Sequence, residues 1–151
     1  MQTRRQALQT SVAVAAVAGT VGFMPQAQAA YDKNAFASKS VQEAVKAMGG
    51  NTMAESADVK IVGPDIAENG AVVPMGVASS LAGVKKLLLL IEKNPSVLVA
   101  AFNVSDTVEP NFSTRAKMGQ SSDVYAVAVM ADGRALFAKK EVKVTLGGCG
   151  G

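Results

Sequence analysis

The sequence predicts a mainly β fold: an immunoglobulin-like antiparallel β-sandwich of about seven strands, with a short N-terminal helix and a flexible C-terminal Gly-Gly-Cys-Gly-Gly arm. Two observations predict it. Short apolar or alternating runs recur at regular spacing between turn residues, and a single segment has clear helical periodicity. The 151-residue chain has only one cysteine, which excludes the inter-sheet disulfide of antibody domains.

The beginning of the chain has the organisation of an export signal. Arg4 and Arg5 precede an apolar, alanine-rich run over residues 11–23, which is too short for a bilayer because a spanning helix needs about 20 residues. Ala27 and Ala29 then form an A-x-A cleavage pattern. The adjacent arginines favour the twin-arginine route over an ordinary secretory signal. We therefore expect export to the periplasm with cleavage after Ala29.

Three segments follow from this interpretation: residues 1–29 as the signal, residues 30–146 as the sandwich domain with its helix, and residues 147–151 as the arm. Loss of the signal removes two of the 15 basic side chains and none of the 12 acidic ones. The mature chain is then nearly neutral, which argues against binding to nucleic acid or to a membrane surface.

One amphipathic helix is predicted near the start of the domain. Ser40 and Glu43 have the spacing of a capping box, and the glycine pair Gly49-Gly50 ends the helix. Apolar residues lie between them at helical spacing: Val41, Ala44, Val45 and Met48. We expect this stripe to pack on the domain's own core rather than on a partner. Residues 31–37, just before it, have the pattern of a polar lead-in.

The strands are predicted from apolar alternation and from β-branched runs. They cover residues 59–62, 73–77, 84–91, 97–104, 112–118, 124–130 and 136–146. Asn69-Gly70 and Asp132-Gly133 are hairpin signals. Pro74 has no amide N–H, so its strand is expected at a sheet edge or a bulge.

The strongest candidate site is Cys149, the only cysteine. It is flanked on each side by two glycines, namely Gly147, Gly148, Gly150 and Gly151. Because glycine has no side chain and few backbone restrictions, this segment is expected to be a thin, flexible arm. Fully extended, five residues reach about 17 Å. An exposed lone thiol invites oxidation, so its presence in an exported protein indicates a function.

The sequence argues that this thiol is not a catalyst. There is no histidine, which excludes Ser–His and Cys–His pairs and histidine-ligated metals. No base or cation flanks the thiol in sequence. The thiol is therefore suited to be a covalent attachment point on which other proteins act, as in a lipoyl arm. We expect no cofactor and no metal. Four carboxylates at predicted turns are interpreted as solvated caps: Asp65, Glu68, Asp123 and Asp132.

Two other functions remain as alternatives. An exported immunoglobulin-like assembly or binding domain could use Cys149 for an intermolecular disulfide. A thiol oxidoreductase is disfavoured, because the chain has neither a resolving cysteine nor a cation near the thiol in sequence.

Three stretches of the sequence resemble the SoxY family, the sulfur-carrying subunits of the periplasmic Sox thiosulfate-oxidation system. They are Ile-Ala-Glu-Asn-Gly with the following Val-Pro (residues 66–74), Phe-Ser-Thr-Arg (residues 112–115) and Val-Lys-Val-Thr-Leu-Gly-Gly-Cys-Gly-Gly (residues 142–151). With the export signal and the helix, the resemblance covers essentially the whole chain. The C-terminal stretch is the most specific of the three.

The resemblance implies an immunoglobulin-like sandwich, a heterodimer with the smaller β-sandwich protein SoxZ, and Cys149 as the covalent attachment site for sulfur. In that family a haem enzyme, SoxXA, couples thiosulfate oxidatively to the carrier. SoxB, a hydrolase, then releases sulfate, and SoxCD, where present, oxidises the remaining sulfane sulfur. The resemblance therefore implies a carrier that docks transiently to these enzymes and is not itself the catalyst.

Overall fold

The computed structural model describes residues 32–145. Two short helices come first, α1 (Lys33–Ala37) and α2 (Val41–Ala47). Nine strands follow in this part of the chain: β1 (Thr52–Glu55), β2 (Val59–Val62), β3 (Ile66–Ala67), β4 (Val73–Ser79), β5 (Val84–Ile91), β6 (Leu98–Asn103), β7 (Asn111–Ala116), β8 (Ser122–Met130) and β9 (Arg134–Val144). No helix within these residues is long and apolar enough to cross a membrane.

The strands form two sheets that share one apolar core. The larger sheet has the order β1-β9-β8-β5-β6, and β3 pairs with the C-terminal end of β9. The smaller sheet has the order β2-β4-β7. Neighbouring strands are antiparallel, except that β1 and β3 both run parallel to β9. The predicted β-sandwich is confirmed, with nine strands in the described residues rather than about seven.

Strand β5 is buried on both of its faces. Leu87, Leu89 and Ile91 belong to the core between the two sheets, whereas Leu88 and Leu90 belong to a second core under the helices. All five side chains have 0% relative exposure. A strand that is covered on both faces requires apolar side chains at successive positions, which explains the uninterrupted apolar run.

The outer face of the larger sheet is covered by the two helices. Val41, Ala44 and Val45 of α2 are buried in the second core. The predicted N-cap is confirmed, because Ser40 Oγ accepts the amide N–H of Glu43 at 3.2 Å. The expectation that this stripe packs on the domain's own core is therefore also confirmed.

Helix α1 was not expected. The prediction of a polar lead-in is wrong over residues 33–37, which are helical. The cap is Asp32, whose Oδ1 accepts the amide N–H groups of Asn34 at 3.0 Å and Ala35 at 3.2 Å. Ala35 is fully buried. A helix of five residues is too short to display an apolar period, so its cap was the only available signal.

Two side-chain contacts join the sheets at opposite sides of the sandwich. Phe102 of β6 stacks on Phe112 of β7, with ring centroids 4.6 Å apart and an interplanar angle of 2°. Near the other side, Lys140 Nζ of β9 donates a hydrogen bond to the carbonyl oxygen of Gly63, just after β2, at 2.7 Å. Both contacts link edge regions of one sheet to the other.

Strand β4 corrects the expectation drawn from Pro74. It is the central strand of the smaller sheet and not an edge strand. The backbone N–H groups of odd-numbered residues in β4 point towards β7, since Ser79 N donates to Pro110 O at 2.9 Å. The backbone nitrogen of Pro74, an even-numbered residue, therefore points towards β2. The β2 pairing ends at the Val62–Gly76 pair. The missing N–H of Pro74 therefore lies beyond the last β2 partner and breaks no ladder bond.

Strands β1 and β3 were also not predicted. Both pair with β9 in parallel, and β3 has only two residues. The Asn69-Gly70 hairpin signal precedes β4 but does not connect paired neighbours. Instead Asn69 Oδ1 accepts the amide N–H of Ala71 at 3.0 Å, and Gly70 O accepts that of Met118 at 2.7 Å. This turn therefore attaches the β3–β4 connection to the end of β7.

The β8–β9 hairpin provides a test of the fold. Gly133 has φ +86°, and a Cβ added there would lie 2.7 Å from Nδ2 of Asn51. We expect Gly133→Ala to lower the free energy of unfolding by about 1–3 kcal/mol, because a left-handed non-glycine residue is strained. Gly119→Ala is the matched control, since no atom lies within 4 Å of its added Cβ, and it should change stability by less than about 0.5 kcal/mol. Urea unfolding followed by circular dichroism measures both, and equal stabilities would contradict the prediction.

Candidate functional site

The predicted site residues Cys149, Gly147, Gly148, Gly150 and Gly151 lie outside the described residues. The structure describes the chain that leads to them as far as Thr145. Cys149 is four residues beyond Thr145, so an extended backbone places its Cα at most about 14 Å away. The structure therefore describes the candidate site only through its attachment point, the end of β9.

The end of β9 is held by hydrogen bonds on both of its edges. On one edge, Lys143 N donates to Asp65 O at 2.9 Å, and Thr145 N donates to Ala67 O at 3.1 Å. On the other edge, Val144 N donates to the hydroxyl oxygen of Ser121 at 2.9 Å. The main chain is thus fixed at three successive residues, to within four residues of Cys149.

Close packing supports the same segment. Val142 is fully buried in the core between the sheets. A Cβ added to Gly70 would overlap the carbonyl oxygen of Met118 and would lie 2.9 Å from Cγ1 of Val144. The missing side chain of Gly70 therefore lets the turn before β4 pack directly against the end of β9.

An ion pair reinforces the β3 side. Lys140 Nζ lies 2.8 Å from Asp65 Oδ1, and the same ammonium donates to Gly63 O. The hydrogen bond from Lys140, together with its positive charge, lowers the pKa of the Asp65 carboxyl. The main-chain oxygen of Asp65 accepts the N–H of Lys143, so this one residue attaches the connection to β9 through its side chain and its backbone.

Polar side chains near this attachment point have structural partners. Ser121 Oγ accepts a hydrogen bond from the β9 main chain. Three of the four carboxylates interpreted as solvated caps form ion pairs with at least one exposed partner: Asp65 with Lys140, Asp123 with Lys139, and Asp132 with Arg134. Residues 32–145 contain no group of three or more His, Cys, Asp or Glu residues placed to hold a metal ion. Sequence reasoning did not find the contacts of Ser121 and Asp65, because they depend on which loops the fold brings to β9.

Exposed apolar side chains also lie in the segment beside the end of β9. Ile66 of β3 is 54% exposed and forms a register pair with Lys143. Val72, in the turn that follows, is 51% exposed. The end of β9 thus has a hydrogen-bonded backbone, and the β3 segment paired with it and the turn that follows expose some apolar surface.

Comparisons with known proteins identify relatives. A family model described as "Sulfur oxidation protein SoxY" matches residues 44–149. Among solved structures, the chain is similar to the sulfur carrier protein SoxY from Chlorobium limicola f thiosulfatophilum, with 36% sequence identity and a TM-score of 0.57, over 62% of this chain and 84% of that chain. Superoxide reductase (neelaredoxin) from Ignicoccus hospitalis matches with 20% identity and a TM-score of 0.51, over 58% of this chain and 80% of that chain, which shows a shared fold alone. No curated protein sequence matches significantly.

The Asp65–Lys140 pair provides a pH test of the attachment point. Because the pKa of Asp65 is lowered in the folded chain, the pair stabilises the fold at pH values above the ordinary carboxyl range. That contribution is lost as the pH falls through the lowered pKa. In Lys140→Met the NMR titration of the Asp65 carboxyl should move to higher pH. Lys85→Met, which removes the exposed partner of Asp106, should leave the Asp65 titration unchanged; a similar shift in both variants would contradict this assignment.

Proposed function

This chain belongs to the SoxY family of sulfur oxidation proteins, and from that premise we propose that it is a periplasmic carrier. In this proposal Cys149 holds sulfur intermediates covalently and presents them to partner enzymes during thiosulfate oxidation. The observation that carries the proposal is the extent of the family match, which runs through the glycine-flanked cysteine to residue 149. A relative with 36% identity is itself named a sulfur carrier protein.

The structural support is the rigid attachment of β9. A carrier must deliver its thiol to several sites without losing its own fold. Here the three hydrogen bonds at Lys143, Val144 and Thr145 fix the strand. In the proposal, the few residues after Thr145 carry the sulfur. The proposed division is therefore a rigid domain that sets the origin of the arm and a glycine arm that enters narrow pockets.

The loading step requires an external oxidant. The Cys149 thiol and thiosulfate give a Cys149–S–S–SO₃⁻ adduct, one proton and two electrons, and a haem enzyme of the SoxXA type accepts the electrons. The new bond joins the cysteine sulfur to the outer sulfur of thiosulfate. Hydrolysis by a SoxB-type enzyme then consumes one water, cleaves the bond to the sulfonate sulfur and leaves a Cys149 persulfide with hydrogen sulfate. A SoxCD-type enzyme, where present, oxidises the remaining sulfane sulfur.

The carrier role fits the polar groups around β9. The Asp65 carboxylate is paired with Lys140, and the Ser121 hydroxyl accepts the main-chain N–H of Val144. These groups stabilise the strand, and none of them is a histidine base, since the chain has none. Activation of the thiol or of the substrate is accordingly assigned to the visiting enzymes, and SoxZ is proposed as the stable heterodimer partner.

Cys149→Ser tests the attachment site. The variant should lose all thiosulfate-dependent turnover in a system reconstituted with SoxZ, SoxXA and SoxB, because an alcohol cannot form the disulfide-type adduct. Its circular dichroism spectrum and SoxZ binding should match those of wild type. Intact-mass analysis of wild-type protein from the periplasm should show sulfur adducts on the C-terminal peptide. A uniform intermolecular disulfide dimer without adducts would instead support the assembly function.

Gly148→Val tests the requirement for a thin arm. The thiol is retained, but the β-branched side chain adds width and stiffness next to it. We expect the rate of processing by the partner enzymes to fall about 10- to 100-fold, as for other small misplacements of a reacting group. Gly148→Ala is the control with minimal added bulk and should lose less activity. Normal processing of the valine variant would show that the width of the arm does not matter.

A further inference from the structure

The short distance from Thr145 to Cys149 limits where an enzyme that acts on the thiol can contact this protein. Four residues separate the two positions, so their Cα atoms lie at most about 14 Å apart. Each residue that enters an enzyme pocket uses about 3.3–3.6 Å of this reach, so a deeper pocket brings its rim closer to Thr145. The sandwich is longer than the reach, since strand β8 alone spans about 26 Å. Such an enzyme must therefore contact the end of the sandwich at which β9 stops.

This end of the sandwich is one continuous surface. The segment from β3 to β4 is attached to it, because Thr145 N donates to Ala67 O at 3.1 Å. The connection from β7 to β8 is attached through Ser121, whose hydroxyl oxygen accepts a main-chain N–H of β9 at 2.9 Å. The two segments also contact each other, since Met118 N donates to Gly70 O at 2.7 Å. We call this surface the arm end and define it as residues 66–72, residues 117–121 and Thr145.

Exposed apolar side chains are concentrated at and near the arm end. Among the described residues, three of the four exposed large apolar side chains lie between residues 62 and 72. Ile66, which is 54% exposed, pairs in register with Lys143, so its Cα lies about 8 Å from that of Thr145. Val72, which is 51% exposed, follows Gly70 by two residues. The surface that the reach selects thus carries the exposed apolar groups that mark interaction sites.

The size and charge of the arm end suit a partner that docks and leaves. Exposed side chains of both signs lie there or beside it, including Glu68, Lys117 and Lys143, so charge does not select the partner. Two large apolar side chains provide only a small apolar contact. Permanent partners bury larger and more apolar surfaces, whereas transient encounters use small ones. A carrier that passes from one enzyme to the next requires the second kind.

We propose that the arm end, with Ile66 and Val72 as its apolar contacts, is the docking surface for the enzymes that act on Cys149. This inference rests on the proposed function and deepens it, because it places the enzyme contact on named residues of this chain. The partner has a pocket that admits the glycine-flanked thiol and a rim whose apolar side chains cover Ile66 and Val72. The rim contact supplies affinity, and the pocket supplies the chemistry.

The double variant Ile66→Gln with Val72→Gln tests the surface, because it removes both apolar side chains and keeps the main-chain bonds of β3. The carrier, in complex with SoxZ, is loaded with tetrathionate. The Cys149 thiolate attacks an inner sulfur, thiosulfate leaves, and the Cys149–S–S–SO₃⁻ adduct remains. For sulfate release by a SoxB-type hydrolase, KM should rise about 10-fold. The kcat should stay unchanged, since the lost contact is made equally before and during the reaction.

Val108→Gln is the matched control. Val108 is also exposed, at 42%, but it lies between β6 and β7 at the opposite end of the sandwich, because β6 runs away from the end at which Ile91 pairs with Val124. Its KM should equal that of wild type. Hydrogen exchange on the wild-type carrier supplies a map that does not depend on any variant. Protection by the hydrolase should appear in residues 66–72 and 117–121 and not in residues 104–110.

The outcomes separate this surface from the carrier function. A wild-type KM for the double variant, or protection confined to other residues, would overturn the docking surface and leave the carrier function intact. Loss of SoxZ binding in the double variant would assign these side chains to the stable partner, and dissociation of a wild-type homodimer would assign them to a second copy. Either result would overturn the proposal. Absence of sulfate release from the loaded wild-type carrier would overturn the proposed function and this inference with it.

Discussion

The burial of β5 on both faces is the constraint on which the rest of the structure depends. Its alternating side chains enter two separate cores, one between the sheets and one under the helices. Each fully buried leucine contributes about 1.5–3 kcal/mol relative to exposure. Neither the helices nor the smaller sheet could be removed without exposing one side of this strand. The described domain thus depends for its stability on a central strand that is covered on both faces.

The C-terminal end of the described chain is connected to that strand through the larger sheet. Strand β8 pairs with β5 on one edge and with β9 on the other. The 11 residues of β9 exceed the length of its pairing with β8, and the surplus is held by β3 and by Ser121. The strand end that leads to Cys149 is therefore coupled to the best-buried part of the described chain.

Sequence patterns predicted the elements that local chemistry specifies. The apolar run at Leu87–Ile91, the Ser40 cap and the Asp132-Gly133 hairpin all have local signals, and the structure confirms each of them. Strands β1 and β3 are different, since their partner β9 is distant in sequence and their burial is slight. The prediction that Pro74 marks an edge strand was wrong for a related reason. A proline is tolerated in a central strand where the neighbouring strand has already ended, and only the register shows where it ends. The family resemblance was confirmed by the match over residues 44–149.

The candidate site likewise has one part that the sequence indicates and another part that only the fold shows. Cys149 stays a prediction, drawn from the sequence because a lone thiol between glycines is unusual. The contacts of Ser121 and Asp65 became recognisable only in the fold, which places them on opposite edges of β9. This separation has a physical consequence for a carrier. In the proposed carrier, the fixed end of β9 and the backbone reach of at most about 14 Å from Thr145 to Cys149 confine the thiol to a small volume. A docked enzyme would then meet the thiol at an effective concentration that is millimolar or higher.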